Sequence, residues 1–304
     1  MVNDRKGFIG GSDIAAVMGL SRWTSALQLW AEKTGAVEPK DLSDIEAVIL
    51  GTELEDFVAQ KFSKKTGLSV RRSPKIYEHS EYPQFKCQVD RLIEKSDALL
   101  EVKTTSGWKA REWAGEEIPA EYILQVNWQL GITGRNTGWI AVLIGGQAFK
   151  YKKIDFDKGL FDKQIEMALA FWKCVEDKTP PMAVGIDSPF IIELNPTHDD
   201  TVREADEDVN ASVALLQETK MHIDTLMETK DDVEAKLKQV IGSSLGIKTS
   251  KYVVTWKEQK RSSVDTEKMK TNGVYDEYKK ESSTRVLRVR KGDDGLRADI
   301  NSGK

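Results

Sequence analysis

Residues 99–106, with the sequence LLEVKTTS, place an acid and a base two positions apart in an apolar run. Leu99, Leu100 and Val102 predict a buried strand. Because side chains alternate across a strand, Glu101 and Lys103 share one face of it. Burying a carboxylate or an ammonium alone is costly. The pair therefore indicates either a salt bridge or a chemical site.

A second carboxylate lies one strand earlier. The apolar segment CQVDRLI carries Asp90 in mid-strand, with 10 residues between it and Glu101. The polar turn KSD predicts a hairpin, and paired strands lie about 5 Å apart. Two carboxylates this close repel each other, and one holds a proton unless a cation lies between them. We therefore expect Asp90, Glu101 and Lys103 to converge around a divalent metal.

This set of side chains predicts hydrolysis of a phosphodiester. Mg²⁺ prefers a few carboxylates and several waters, and we expect Mn²⁺ to substitute for it. Such a metal activates a water and stabilises the leaving oxygen, while a lysine beside it positions that water. The alternative is a solvent-facing, salt-bridged hairpin. The apolar strands, a preceding helix with Glu55 and a following helix with Gln125 favour the metal site.

The hydrophobic pattern predicts the elements that position these residues. Helices follow from helical apolar spacing, caps and terminal glycines, and strands from short apolar runs between turn residues. The predicted helices are 12–19, 24–35, 52–66, 118–134 and 157–177, and the predicted strands are 69–78, 85–94, 98–105, 137–146 and 147–154. This order predicts an α/β domain with a mixed central sheet.

Beyond Pro180–Pro181 the composition changes. Seven-residue apolar spacing predicts a long helix or helical hairpin, packed on its own chain or paired between chains, and two strands are expected at 251–261 and 284–292. The predicted divisions are a nuclease-type domain at 1–181, a linker at 182–198, a long helical or coiled-coil segment at 199–241 and a basic α+β segment at 242–304.

Charge is distributed unevenly along this second part. Residues 195–241 hold 12 acids and 5 bases, whereas residues 242–291 hold 13 bases and 6 acids. The total of −4 therefore hides a local basic segment that can contact an acidic partner.

Composition also excludes several classes of protein. The two cysteines, Cys87 and Cys174, lie far apart and outside any CxxC pattern, which argues against a disulfide framework, a zinc site or a four-cysteine iron–sulfur cluster. No apolar run approaches the ~20 residues of a membrane span, and the N-terminus lacks the apolar region of a signal peptide. We expect a cytoplasmic protein with reduced thiols.

Five motifs occur in the order GGSDIAAVMGLSRWTSALQLWAEKTG, GTELEDFV, QVDRLI, LLEVKTT and YILQVNWQLGITG. Over about residues 5–175 they resemble the YqaJ-type phage recombinases, relatives of phage lambda exonuclease within the PD-(D/E)XK nuclease superfamily. Val89 replaces the proline of the PD pair, which carries no ligand atom. The resemblance implies an α/β, restriction-endonuclease-like core with a mixed central sheet flanked by helices, and a C-terminal extension with a long helix and short strands.

The resemblance also implies roles for individual residues. Asp90, Glu101 and the Val102 carbonyl would ligate Mg²⁺, and Lys103 would orient the attacking water. Glu55 would lie in the outer shell of the metal. Glu53 competes with it for that role, although the glutamate of the GxxxE pattern that starts at Gly51 is Glu55. Gln125 would hold the water or the lysine.

A small anion pocket for a 5′-phosphate is implied as well. Arg5 and Ser12 match its N-terminal part, and Lys109 matches a basic residue after the catalytic strand. Ser12 also has a purely structural interpretation as the N-cap of a helix, and helix N-termini attract phosphate. Gln88 stands where lambda exonuclease has a small hydroxyl residue, so the pocket is not identical.

Aromatic and basic residues outside these motifs have open interpretations. We expect Trp30 in the core, whereas Trp23, Trp108 and Trp113 either stack on nucleobases or pack inside the protein. The alternating arginines of RVLRVRK fit a solvated edge strand or a strand that contacts phosphate.

The expected activity is a magnesium-dependent exonuclease that degrades one strand of linear duplex DNA from its 5′ end and leaves 3′ single-stranded tails. The alternatives are a structure- or site-specific endonuclease on the same core, and a dormant DNA-binding or assembly protein. By resemblance, the partners are double-stranded DNA ends, a single-strand annealing recombinase and further copies of the chain in a ring trimer. The resemblance also implies a phage or prophage protein of the bacterial cytoplasm.

Overall fold

The computed structural model describes residues 5–199 and 201–289. The chain divides into two compact units, Met1–Glu193 and Leu194–Lys304. None of the helices in the described ranges is long and apolar enough to cross a membrane. The domain divisions that the sequence suggests stay predictions.

A mixed sheet forms the centre of the first unit. The strands of this unit are β1 (Val70–Arg72), β2 (Ile76–Glu78), β3 (Lys86–Gln88), β4 (Arg91–Ile93), β5 (Ala98–Thr105), β6 (Thr137–Ile144) and β7 (Ala148–Asp155). Five of them form one sheet in the order β1-β4-β5-β6-β7, and β2 pairs separately with β3. Only β5 and β6 run parallel in this larger sheet, and the other neighbours are antiparallel.

Helices cover both faces of this sheet. They are α1 (Ile14–Val17), α2 (Ala26–Thr34), α3 (Glu46–Thr66), α4 (Ala120–Thr133), α5 (Lys158–Glu176) and α6 (Ser188–Leu194), and 3-10 helices form at Arg5–Gly7, Gly107–Trp113 and Gly185–Asp187. One apolar cluster joins the sheet to α1, α2, α4 and α5, and a second joins it to α3. The predicted α/β architecture with a mixed, helix-flanked central sheet is therefore confirmed.

The alternation along β5 determines where the charged pair points. Leu99 packs in the cluster with α4, whereas Leu100 and Val102 pack in the cluster with α3. Glu101 and Lys103 share the parity of Leu99, so they face α4. The strand thus presents both charges to the face that carries the predicted glutamine, Gln125.

The predicted elements differ from the structure at three points. The helix predicted at 52–66 begins earlier, at Glu46, and the strand predicted at 69–78 divides into β1 and β2. The strand predicted at 85–94 also divides, so Asp90 lies in a bend between β3 and β4 and not in mid-strand. At this bend, hydrogen bonds made by Asp90 replace the backbone hydrogen bonds between paired strands.

The N-terminal caps give one confirmation and one correction. In the helix predicted at 24–35, with Thr24 or Ser25 as its cap, Ser25 caps α2 with a full capping box, and Gly35 ends the helix in the left-handed conformation. Ser12, in contrast, is not the N-cap of α1, because that position belongs to Asp13. Asp13 instead accepts hydrogen bonds from the Gly10 amide at 3.0 Å and from Lys33 Nζ at 2.8 Å.

Among the described residues of the second unit there are one long helix and several smaller elements. These are α7 (Glu207–Ile241), β8 (Gly246–Lys248), β9 (Val253–Thr255), α8 (Thr266–Thr271) and α9 (Tyr275–Tyr278). β9 pairs with β8 and not with the strand predicted at 284–292, since residues 284–289 form no strand and the remainder lies outside the described residues. The apolar residues that give the seven-residue spacing are exposed to solvent in this chain, including Val209, Ile223, Leu226, Val233 and Val240.

Candidate active site

Glu101 lies at the centre of the candidate site. Only 2% of the surface of Glu101 is exposed to solvent, and both of its carboxylate oxygens accept hydrogen bonds. Lys103 Nζ and Gln125 Nε2 donate to Oε1 at 2.5 and 2.6 Å. Gln129 Nε2 donates to Oε2 at 2.7 Å. Donors from one strand and one helix therefore fix the orientation of this buried carboxylate.

Asp90 is held against the same strand. Its Oδ2 accepts a hydrogen bond from the Val102 amide at 2.8 Å, which anchors the bend between β3 and β4 to β5. Burial, followed by the negative charge of Glu101, raises the pKa of Asp90 to about 7, although Lys103 and the Val102 amide act in the opposite direction. The site therefore favours an additional cation, because two carboxylates share it with one lysine.

Lys103 completes the predicted triplet. Burial works to lower the pKa of its ammonium, but the charges of Glu101 and Asp90 outweigh that effect and raise the pKa overall. Its Nζ also lies 5.5 Å from the ring centroid of Tyr122 on α4. Lys103 is consequently a stable cation, which suits a group that donates hydrogen bonds to a water or to phosphate oxygens.

Glu55 reaches the site through a buried arginine. Arg91, whose side chain is 4% exposed, forms an ion pair with Glu55 and another with Asp56 at 2.6 Å. Its Nη1 also donates to the main-chain oxygen of Asp90 at 2.6 Å. The half-buried Glu55 is thus linked to Asp90, whereas Glu53 is exposed on the same helix. This contact favours Glu55 over Glu53 as the additional acidic residue.

Sequence reasoning missed two groups at this site. Gln129 lies four residues after Gln125, so both glutamines face β5 from α4, and this spacing is a readable signal. Arg91 stands in an apolar strand next to Asp90, which is a second signal, but its partners on α3 come from distant sequence. The two residues hold the catalytic candidates in position without belonging to the predicted triplet.

The donor set fits a hard cation. In the part of the chain that the structure describes, no group of three or more His, Cys, Asp and Glu side chains that could hold a metal occurs. A metal would therefore rely on Asp90 and Glu101 with main-chain carbonyl oxygen and water. The buried Gln129 Oε1 has no hydrogen-bond donor among the described residues, an arrangement that suits an ordered water. Such an oxygen-rich set suits Mg²⁺.

The residues predicted for the 5′-phosphate lie in different elements. Arg5 begins the 3-10 helix Arg5–Gly7, and its side chain lies outside the described part of the structure. Ser12 is exposed in the turn before α1. A Cβ placed on the neighbouring Gly11 would lie 3.5 Å from Gln125 Cγ, so this turn packs directly on the glutamine face of α4.

Lys109, which the sequence places at the 5′-phosphate, contacts an aromatic ring in this structure. Its Nζ lies 4.2 Å from the centroid of the Trp23 ring. The four tryptophans whose roles the sequence left open differ in how far they are exposed to solvent. Trp113 is buried at 1% exposure, which decides against a DNA-facing role for it, whereas Trp23 and Trp108 are exposed. Trp30 packs against the core, as predicted, and donates to the Cys174 carbonyl.

Comparisons with known proteins give a family relationship for this sequence. Residues 2–136 match the family model described as YqaJ-like viral recombinase domain. The chain is 33% identical over 301 residues to the uncharacterized protein YqaJ of Bacillus subtilis (strain 168). This alignment covers 95% of the chain and 93% of the relative.

Among solved structures, the alkaline exonuclease LHK-Exo of Laribacter hongkongensis is similar with a TM-score of 0.49 and 21% identity, over 58% of this chain and 91% of that one. A phage-related exonuclease of Haemophilus somnus 129PT is similar with a TM-score of 0.41 and 14% identity, over 56% of this chain and 94% of that one.

Proposed function

The chain belongs to the YqaJ-like viral recombinase family, and from that premise we propose that it is a magnesium-dependent exonuclease acting on linear duplex DNA. One observation carries the proposal: Asp90 and Glu101 converge on β5 beside Lys103, and the pKa of Asp90 is raised by burial and by the second carboxylate. A buried group of this composition is an expensive arrangement for a structural hairpin, because the second carboxylate must either take up a proton or stay charged without a partner cation.

The residues of the chain have distinct roles in this proposal. Asp90, Glu101 and the Val102 carbonyl hold Mg²⁺, which supplies Lewis acidity toward a water and a phosphodiester oxygen. Lys103 donates hydrogen bonds that orient the attacking water. Gln125 and Gln129 keep Glu101 in one orientation, and Arg91 ties Glu55 to the loop that carries Asp90. Mn²⁺ is expected to replace Mg²⁺, because both accept the same oxygen ligands.

The finer activity is digestion from the 5′ end, which leaves 3′ single-stranded tails. Its support is the resemblance of the five motifs to relatives of lambda exonuclease. Arg5, Ser12 and Lys109 of this chain match residues of the 5′-phosphate pocket of that family. The packing of the Gly11–Ser12 turn on α4 is compatible with a pocket close to the glutamines. For Lys109 the support is the motif match alone, since no contact of its side chain with the Gly11–Ser12 turn is seen among the described residues.

We extend the proposal to the biological setting on the basis of the family. The 3′ tails are the substrate of a single-strand annealing recombinase, which is the proposed partner. A phage or prophage protein in the bacterial cytoplasm that assembles as a ring trimer around duplex DNA fits this role. Such a ring keeps the enzyme on its substrate between cleavage steps.

The test is digestion of linear duplex labelled on one strand at either end, with and without a 5′-phosphate. We expect Mg²⁺-dependent release of label from the 5′ end first, and faster digestion of phosphorylated ends. Closed circular duplex should remain intact. Cleavage of the circular duplex would replace the exonuclease with an endonuclease on the same core. Release from the 3′ end would reverse the proposed polarity.

A further inference from the structure

Two exposed tryptophans lie close to the end of β5. The 3-10 helix Gly107–Trp113 follows this strand directly, and Trp108 in its first turn is 96% exposed. Trp23, from the loop between α1 and α2, is 68% exposed. A fully exposed indole is uncommon because it leaves a large apolar surface in water. Its position next to a candidate active site requires an explanation.

A lysine joins these two aromatic residues. Lys109 follows Trp108 in the chain, and its Nζ lies over the Trp23 ring at 4.2 Å from the centroid. Cation–π contacts form within about 6 Å of a ring centroid, so this ammonium is held in place. We name Trp23, Trp108 and Lys109 the indole platform, because Lys109 contacts the Trp23 ring and follows Trp108 in the chain, so two exposed indoles and a positive charge lie in adjoining segments.

The segments that carry the platform are firmly anchored. Trp113, at the other end of the 3-10 helix, is 1% exposed, and Lys150 Nζ donates to its carbonyl at 2.6 Å. A Cβ on Gly145 would lie 3.2 Å from the Gly107 backbone, which shows that the β6–β7 turn packs on the start of this helix. The exposed indole thus projects from a fixed support.

Contacts connect the platform to the candidate active site. Arg22, next to Trp23, forms an ion pair with Glu112 in the 3-10 helix at 2.8 Å and another with Glu121 on α4. Tyr122 follows Glu121, and its ring lies 5.5 Å from Lys103 Nζ. These contacts fasten the loop that carries Trp23 to the helix whose Tyr122 lies beside Lys103.

We propose that the indole platform binds unpaired nucleotides of DNA at a duplex end, with bases stacked on Trp108 and Trp23 and a phosphate paired with Lys109. This inference rests on the proposed nuclease function. Indole faces accept any base, and stacking combined with a lysine or arginine is the usual composition of surfaces for single-stranded DNA.

Binding of a duplex with a short single-stranded tail, in EDTA to prevent hydrolysis, tests this proposal. The Trp108→Ala variant should bind the tailed duplex about tenfold more weakly, in line with the effect of removing one stacked base. Trp108→Phe should restore part of the loss. Phe57→Ala is the matched control, because Phe57 is 51% exposed on α3, has Lys61 Nζ 6.0 Å from its ring centroid and lies outside the platform. Thermal unfolding checks that each variant folds.

A tail with abasic sites separates base stacking from phosphate contacts. The wild type should lose affinity for the abasic tail, Trp108→Ala should distinguish the two tails less, and the double variant Trp23→Ala, Trp108→Ala should bind both tails equally. Equal affinity of wild type and Trp108→Ala for the normal tail overturns the proposal, as does the same loss on both kinds of tail. Digestion of linear duplex is measured in parallel. If tail binding depends on Trp108 but the wild type digests no DNA, the nuclease function fails while the platform stands.

Discussion

Lys103 supplies one positive charge to two carboxylates, Asp90 and Glu101, on the same side of β5. Gln125 and Gln129 satisfy the hydrogen-bonding capacity of Glu101 without neutralising it. Arg91 is occupied by Glu55 and Asp56. Burial, followed by the charge of Glu101, raises the pKa of Asp90, and the single charge of Lys103 does not offset these two effects. A divalent cation would correct this imbalance of charge, which is why the residues indicate metal-assisted chemistry.

The role of Lys103 can be separated from metal binding. Lys103→Ala leaves both carboxylates in place, so Mg²⁺ and DNA should still bind, while the hydrolytic rate should fall by about 10²–10⁴-fold, the usual range for groups that position or transfer a proton. Single-turnover digestion at saturating enzyme measures this rate. Lys153→Ala, at an exposed lysine of β7, is the control. An unchanged rate would remove Lys103 from the mechanism.

The same negative site acts on a neighbouring thiol. Burial, and to a smaller extent the charge of Glu101, raises the pKa of Cys87 to about 12. A thiol is reactive as the thiolate, so reactivity requires a pH near its pKa. In the Cys174→Ser variant at pH 8, the native protein should resist iodoacetamide, and labelling should appear only after unfolding in denaturant. Rapid labelling of the native variant would contradict the burial of β3 against α4.

At the scale of elements, the sequence predicted the parts whose signal is local. The hairpin into β5, the caps of α2 and the glycine end of α4 follow from apolar periodicity and turn residues. The bend at Asp90 was not predictable, because it depends on a hydrogen bond to Val102 and on Arg91. Trp108 and Trp113 could not be separated, since the apolar pattern gave no sign of a 3-10 helix, whose turns are tighter than those of an α-helix.

The close packing of α4 on α5 gives a prediction at this scale. A Cβ at Gly131 would overlap the Phe161 ring. Gly131→Ala should therefore destabilise the fold, because overpacking costs about 1–3 kcal/mol, more than the gain of about 1 kcal/mol in helix propensity. Urea unfolding measures the difference. Gly185→Ala is the control, since no atom lies within 4 Å of its Cβ position. Equal stabilities of the two variants would contradict this packing.

At the scale of the whole molecule, the candidate catalytic residues and the basic segment belong to different units. Every member of the predicted triplet lies in Met1–Glu193, whereas the excess of bases lies in Leu194–Lys304. Lysines and arginines that contact DNA phosphates make affinity fall with salt concentration. The second unit is therefore expected to contribute affinity and the first unit chemistry.

A chain that ends at Asn195 tests this division. It should retain digestion of linear duplex at low salt but bind DNA more weakly and with a smaller dependence on salt, because phosphate contacts of the basic segment are lost. Fluorescence anisotropy across a salt series measures the slope. An unchanged slope would show that residues 242–291 neutralise the acidic segment 195–241 and do not contact DNA.

The most direct test of the central claim compares hydrolysis and binding in Asp90→Asn. Digestion of linear duplex in Mg²⁺ should be abolished, because a ligand charge is lost, while affinity for the same duplex in EDTA should equal that of the wild type. Asp97→Asn, the same change in the exposed turn of the β4–β5 hairpin, should digest DNA normally. Near-normal digestion by Asp90→Asn would contradict the assignment of the active site.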